Sequence, residues 1–231
     1  MSSARSIFIK QLKDTLKNRM VLVQFIVFPV MAFVMTEFVA KTSDTIPDTI
    51  FVTMFGAMFV GMTPLMMTNS AIAEDRERKS LRFLVMAGVR PYEYLLGVGG
   101  FVMLICSIIS VAFGLIGGFS GPEFVKFVAV LIMGSAASAL LGSAIGIISK
   151  NQQAAAAIGT PIFMILAFSP MIAQFNPSVG KMTGIFYTQQ VNLLVNDFSA
   201  GAAKPLLIIL ANIIVLAVLF MLAYNKKGLR G

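Results

Sequence analysis

Six long apolar runs constrain this chain more than any other feature. They occupy residues 20–40, 50–73, 94–118, 124–149, 153–173 and 204–224. A bilayer core about 30 Å thick is crossed by roughly 20 apolar residues in a helix, so each run is long enough to span. Hydrophobic residues make up 58% of the 231 and charged residues only 12%. Soluble domains sit nearer 45–50% and about 25%. The expected fold is an all-α integral membrane protein, one transmembrane domain over residues 1–231 with six spanning helices.

The segments outside the runs carry distinct signals. KTSDTIPDT, GGFSGPE and SKNQQ are short polar connections. The connection 174–204 is longer, and IFYTQQVNLLV within it is apolar enough to enter the outer leaflet but too short and polar to cross. It reads either as a re-entrant outer element or as a short surface helix; irregular backbone at that depth is tolerated only inside protein or beside a water-filled cavity. At the N-terminus, MSSARSIFIKQLKDTLKNRM places Phe8, Leu12 and Leu16 on one helical face with Ile9 beside it. Lys10, Lys13, Asp14 and Lys17 fall largely opposite. That is the pattern of an interfacial helix, here residues 1–19, with lysines toward anionic headgroups. Charges throughout and no cleavage site after a short apolar core argue against a secretory signal.

Lysine and arginine placement sets the orientation. With the N-terminus inside, the inner segments hold Arg5, Lys10, Lys13, Lys17, Arg19, Arg76, Arg78, Lys79, Arg82, Arg90, Lys150, Lys226, Lys227 and Arg230. Only Lys41, Lys126, Lys181 and Lys204 remain outside. Both termini are expected in the cytoplasm, in a multi-pass protein of the cell membrane. The net charge of +8 is used at the ends of apolar runs, so no nucleic-acid partner is expected.

Inventory excludes several chemistries. There are no histidines and one cysteine, Cys106, within an apolar run; an intrachain disulfide, a zinc site of the usual ligands and a His-based triad all lack their parts. No catalytic residue and no metal site is expected. No G-x-x-x-x-G-K-[ST] loop occurs, since Gly180–Lys181 is followed by Met182, and no G-x-S-x-G elbow is present. Glu37, near the outer end of the first run, is the only acid within a span of any depth. Ion-coupled carriers generally hold ionisable groups at mid-membrane, so the energy source is expected in another chain.

Two runs have internal patterns. In the fourth, Gly134, Ser138, Gly142 and Gly146 recur every four residues, a small-residue face that lets helix backbones approach. In the second, Phe51, Phe55 and Phe59 keep four-residue spacing, as do Met54, Met58, Met62 and Met66, and Pro64 is expected to kink the helix. Flexible, polarisable methionine accepts varied apolar partners, so this stripe is either a path for an amphipathic or lipidic substrate or a surface for lipid-facing or interhelical packing.

The most unusual stretch is AEDRERKSLRFLVMAGVRPYEYLLG, residues 73–97, where seven of the nine positions 74–82 are charged. As a helix it pairs Glu74 with Arg78 and Asp75 with Lys79 at i,i+4. Leu81, Leu84 and Val85 form an apolar ridge, and Arg90–Pro91 ends the segment. A solvated loop enforcing topology accounts for the bases but not for Glu74, Asp75 and Glu77, because that rule counts only Lys and Arg. Mixed charge beside an apolar ridge suits a short helix that docks into another protein.

This segment, with its acidic-x-x-Glu-Arg-x-x-x-Leu start, apolar patch, basic-Pro break and Leu95–Leu96–Gly97, resembles the membrane subunits of ABC transporters of the type-2 export class. Where the family usually carries Gly-Thr, this chain has Lys79–Ser80. The outer stretch SPMIAQFNPSVGKMTGIFYTQQVNLLV, with Pro170 and Asn176–Pro177, is similar to the family's Pro-containing element after span five. The resemblance covers the whole chain. It implies a permease without a nucleotide site, paired with a second copy or a related permease and with two ABC ATPase subunits that bind ATP and Mg. It also implies that residues 74–90 act as the coupling helix, with Glu74, Asp75, Arg76, Glu77, Arg78, Lys79, Leu81, Arg82 and Arg90 bearing on the ATPase. An ion-coupled carrier or channel, and a peptide-binding scaffold or immunity protein, are the competing functions.

Overall fold

The computed structural model describes residues 3–17, 19–43, 45–197 and 201–227. The side chains of Leu16, Lys17, Arg19 and Lys227, and residue Arg230, which carry part of the expected amphipathic and basic pattern, lie outside the described residues. Among the described residues the chain is helical: α1 (Ser3–Lys17), α2 (Arg19–Met35) running into a π-helical turn (Thr36–Ala40), α3 (Ile50–Glu77), α4 (Ser80–Met86), α5 (Pro91–Ile116), α6 (Gly121–Ile148), α7 (Gln152–Phe175), α8 (Pro177–Met182), α9 (Tyr187–Asn196) and α10 (Ala203–Lys227). Five of these, α3, α5, α6, α7 and α10, are long and apolar enough to cross a membrane. The first apolar run forms a shorter apolar helix, Phe25–Ala40.

Local chemistry sets the boundaries. Pro91 and Pro122 stand in the first turns of α5 and α6, where a missing N–H costs nothing. The side chain of Asn151 accepts from Ala154 N at 2.8 Å and so caps α7. Between α3 and α4 the chain turns at Lys79, whose φ of +59° is in the left-handed region.

α3 is the axis of the bundle. It packs along α6 and α7 and touches α2, α5 and α9. In lipid, burial of apolar surface gives little drive for helix association, so close packing and interhelical hydrogen bonds must supply it. Gly61 meets the backbone of α7, where an added Cβ would fall 2.9 Å from Ala167 N and Cα. Pro64 lies inside α3 without interrupting it.

α1 turns its apolar face inward. Ile7 is buried against Gly97 of α5, and Phe8 meets Phe101 edge-on at 5.9 Å. α9 is buried among α3, α6, α7 and α10. Its first residue, Tyr187, lies beside Ser138, about 25 Å of helical rise along α6 from Gly121. Its last, Asn196, accepts from Thr53 Oγ1 at 3.0 Å near the start of α3. The second half of the 174–204 connection therefore rises along α3 from mid-helix to its first turn.

Candidate functional site

The charged stretch does not form one helix. Residues 74–77 continue α3, the chain turns at Arg78 and Lys79, and α4 follows as a separate helix. Glu74 and Arg78 pair at 2.8 Å. The i,i+4 pair read from sequence for Asp75 and Lys79 is replaced by a different arrangement, because the left-handed turn at Lys79 takes its side chain away. Asp75 points inward with its side chain 3% exposed. Its Oδ1 pairs with Lys10 of α1 and accepts from Ser80 Oγ at 3.0 Å. Its Oδ2 accepts from Tyr94 OH of α5 at 2.8 Å. One carboxylate thus joins α1, α3, α4 and α5.

The next two charges serve helix ends. Arg76 donates from its guanidinium to the carbonyl of Ile147 at the C-terminus of α6. Glu77 Oε2 accepts from Gln152 N at the start of α7, at 3.0 Å. A cation on a C-terminus and an anion on an N-terminus both complement the helix dipole. Together they hold the connection between α6 and α7 against the end of α3.

The apolar ridge of α4 also faces inward. Leu81 is buried, and Leu84 and Val85 pack on a cluster that includes Ile7, Tyr94, Val98 and Phe220. The ridge expected to meet a partner instead fastens α4 to its own chain. What α4 leaves free is the opposite side, where Phe83 is 65% and Met86 58% exposed. Lys79, Arg82 and Arg90 of the same segment are exposed as well. Sequence reading missed Phe83 and Met86, although their three-residue spacing puts them on one face, opposite Leu81 and Leu84. Between the end of α3 and the start of α7 a cleft of ≈ 640 Å³ is lined by Glu74, Glu77, Arg78, Asn151, Gln152 and Gln153.

The Met and Phe stripe of α3 divides. Phe59 is fully buried between Phe28 and Phe113, with ring centroids at 6.5 and 5.7 Å, and Met58 is buried too. Phe51, Met54, Phe55, Met62 and Met66 are half-buried, Phe55 and Met66 against the main core.

The four-residue face of α6 lies on α3. A Cβ on Gly134 would meet Val60 and Val191 side chains at 2.7 and 2.6 Å. On Gly142 it would strike the carbonyl of Leu65, and on Gly146 the carbonyl of Asn69 at 2.8 Å. Ser138 does more than stay small. Pro64 has no N–H, so the carbonyl of Val60 four residues earlier lacks its helical donor. Ser138 Oγ bonds this carbonyl and lies 2.6 Å from Tyr187 OH. The proline in α3 is thereby tied to α6 and α9, which sequence reading did not foresee.

Among the described residues no group of three or more His, Cys, Asp or Glu side chains is placed to hold a metal ion. A sequence model of the family described as ABC-2 family transporter protein matches residues 9–224. No curated protein gives a significant match to the chain.

Proposed function

The chain belongs to the ABC-2 transporter family as a membrane-embedded permease subunit, and from that premise we propose that it is the translocating half of an ATP-driven exporter. It would cross the membrane six times. α2 and the π-helical turn together supply 17 and 5 residues, or about 33 Å of helix at 1.5 Å per residue, enough for the sixth span. α9 would be the re-entrant outer element, and both termini would be cytoplasmic.

The observation that carries the coupling assignment is the free face of α4. Two large apolar side chains, Phe83 and Met86, are exposed on a helix whose other face is fastened to the bundle, in a segment that also exposes the bases Lys79, Arg82 and Arg90. Apolar anchors in a basic segment suit a groove on a protein partner. Two ABC ATPase subunits, each binding ATP and Mg, would seat this face in a membrane complex with a second permease copy or a related one. Asp75 and Leu81, both buried, would transmit the motion rather than touch the ATPase. The half-buried Phe51, Met54, Phe55, Met62 and Met66 are the candidates for a path carrying apolar or amphipathic cargo.

Affinity purification of the full chain from membranes is the test. An ATPase subunit of soluble size should accompany the wild type and be lost from Phe83→Asp and Arg82→Glu, both of which should still insert and melt normally. An ion-coupled carrier or a scaffold would bring down no ATPase.

A further inference from the structure

At the end of the bundle opposite the charged segment, a cleft of ≈ 490 Å³ opens between the start of α3, the end of α7 and α9. Thr49, Gln174, Gln189, Asn192, Asn196 and Asp197 line its polar part. The size falls within the range of roughly 300–1,000 Å³ usual for small-ligand pockets. Four of these six are carboxamides, an uncommon density in so apolar a chain.

The carboxamides are held in place by one another. Asn192 Oδ1 accepts from Gln174 Nε2 at 3.2 Å and from Asn196 Nδ2 at 3.1 Å. Asn196 Nδ2 also reaches Asn192 O at 2.7 Å, and Asn196 Oδ1 takes the hydroxyl of Thr53 at 3.0 Å. Gln189 stands apart: it is 4% exposed, lines the cleft, and its Oε1 is buried without a hydrogen-bond partner. Buried polar atoms in native proteins are rarely left unbonded. Three amides fixed by hydrogen bonds to one another, with a fourth whose carbonyl oxygen has no partner, give the cleft a polar lining suited to a ligand that both donates and accepts.

The lining selects the ligand's chemistry. A carboxamide offers a donor and an acceptor side by side, which is the complement of a peptide group. Among the described residues the lining contains no Lys or Arg and one carboxylate, Asp197, so anions are disfavoured. Among the described residues it contains no aromatic ring on which a sugar or base would stack. Pro47, Ile50, Ala173 and Leu193 supply apolar surface between the amides, suited to small aliphatic side chains. We infer that this cleft binds the backbone of a short, uncharged aliphatic peptide. Naming that peptide as cargo at the exit side rests on the exporter reading; the binding itself does not.

The chain contains no tryptophan, so Leu193→Trp, at a rim position 47% exposed, gives a single indole reporter. Full-length protein in lipid nanodiscs is titrated with acetyl-tetraalanine amide and with the analogue whose internal amides are esters. A saturable emission change is expected with the peptide, at least tenfold weaker for the ester, which lacks the N–H donors. Gln189→Leu and, separately, the exposed Gln174→Leu should each weaken the peptide at least tenfold, with melting curves confirming that each variant is folded. No saturable response to the peptide, equal response to the ester, or unchanged binding in both folded variants would each overturn the assignment. So would saturation by a trisaccharide in place of the peptide. ATPase co-purification does not involve this cleft, so either result can fail without the other.

Discussion

Ser138 of α6 donates its hydroxyl hydrogen to the carbonyl of Val60 in α3, the acceptor that Pro64 deprives of a donor within its own helix. In a membrane, where water cannot reach such a carbonyl, a proline inside a helix is tolerated when a neighbouring hydroxyl makes good the loss. Ser138→Ala should therefore destabilise the chain by about 1 kcal/mol. In a Pro64→Ala background, where Val60 regains its helical partner, the same change should cost markedly less. Unfolding in mixed micelles across this double-mutant cycle measures the difference, and equal costs in both backgrounds would refute the pairing.

Asp75 and Lys10 are bound unequally. The carboxylate is buried, whereas the ammonium is half-exposed. Lys10→Met leaves a buried charge with only Ser80 and Tyr94, and should cost about 1–3 kcal/mol. Asp75→Asn releases Lys10 to water and should cost less. Limited proteolysis of α1 gives a second readout: both variants should expose its N-terminal half to protease sooner than the wild type.

Arg76 and Glu77 sit on helix ends of opposite polarity. Arg76→Gln and Glu77→Gln should each lower stability by about 0.5–2 kcal/mol. The exchange Arg76→Glu with Glu77→Arg keeps the net charge but sets each charge against the wrong helix end. Its loss should exceed the sum of the two single losses. A melting temperature equal to wild type for the exchanged pair would show that only net charge matters there.

Lys79 occupies a left-handed conformation that costs a residue with a side chain about 1–2 kcal/mol. Glycine relieves this, less about 0.5–1 kcal/mol for its freedom in the unfolded chain. Lys79→Gly should leave the protein as stable as wild type or up to about 1.5 kcal/mol more so, read as a rise in melting temperature. A clear fall would mean that the lysine side chain contributes more than its backbone conformation costs.

Of the three α6 glycines on the α3 face, Gly142 leaves the least room for a side chain, since an added Cβ would strike the Leu65 carbonyl. Gly142→Ala should cost about 1–3 kcal/mol through overpacking against the Leu65 carbonyl. Gly118→Ala makes a useful contrast: nothing lies near its absent side chain, and its cost should come from φ +65° alone.

Much of the architecture was legible because hydrocarbon imposes a one-dimensional rule: length and polarity of each run decide whether it can span. The spans of α3, α5, α6, α7 and α10, the polar breaks and the small-residue stripe of α6 all follow from that rule. The charged segment was legible as a special place and misread in detail. Its i,i+4 pairing assumed one continuous helix, and the left-handed turn at Lys79 broke the register between Asp75 and its expected partner.

By itself the sequence determined that this chain lives in a bilayer as packed helices, lacks a nucleotide loop, and concentrates its charge at one connection. Those are properties of composition and local order along the chain. Only the tertiary structure decided which charges are spent internally and which face of α4 stays free. Whether Asp75 meets Lys10 or Lys79 depends on where α1 packs, 65 residues away in the chain. Likewise, that Ser138 answers Pro64, and that the four carboxamides converge on one cleft, are facts of three-dimensional packing. No periodicity within a single segment encodes them, because each joins groups on different helices.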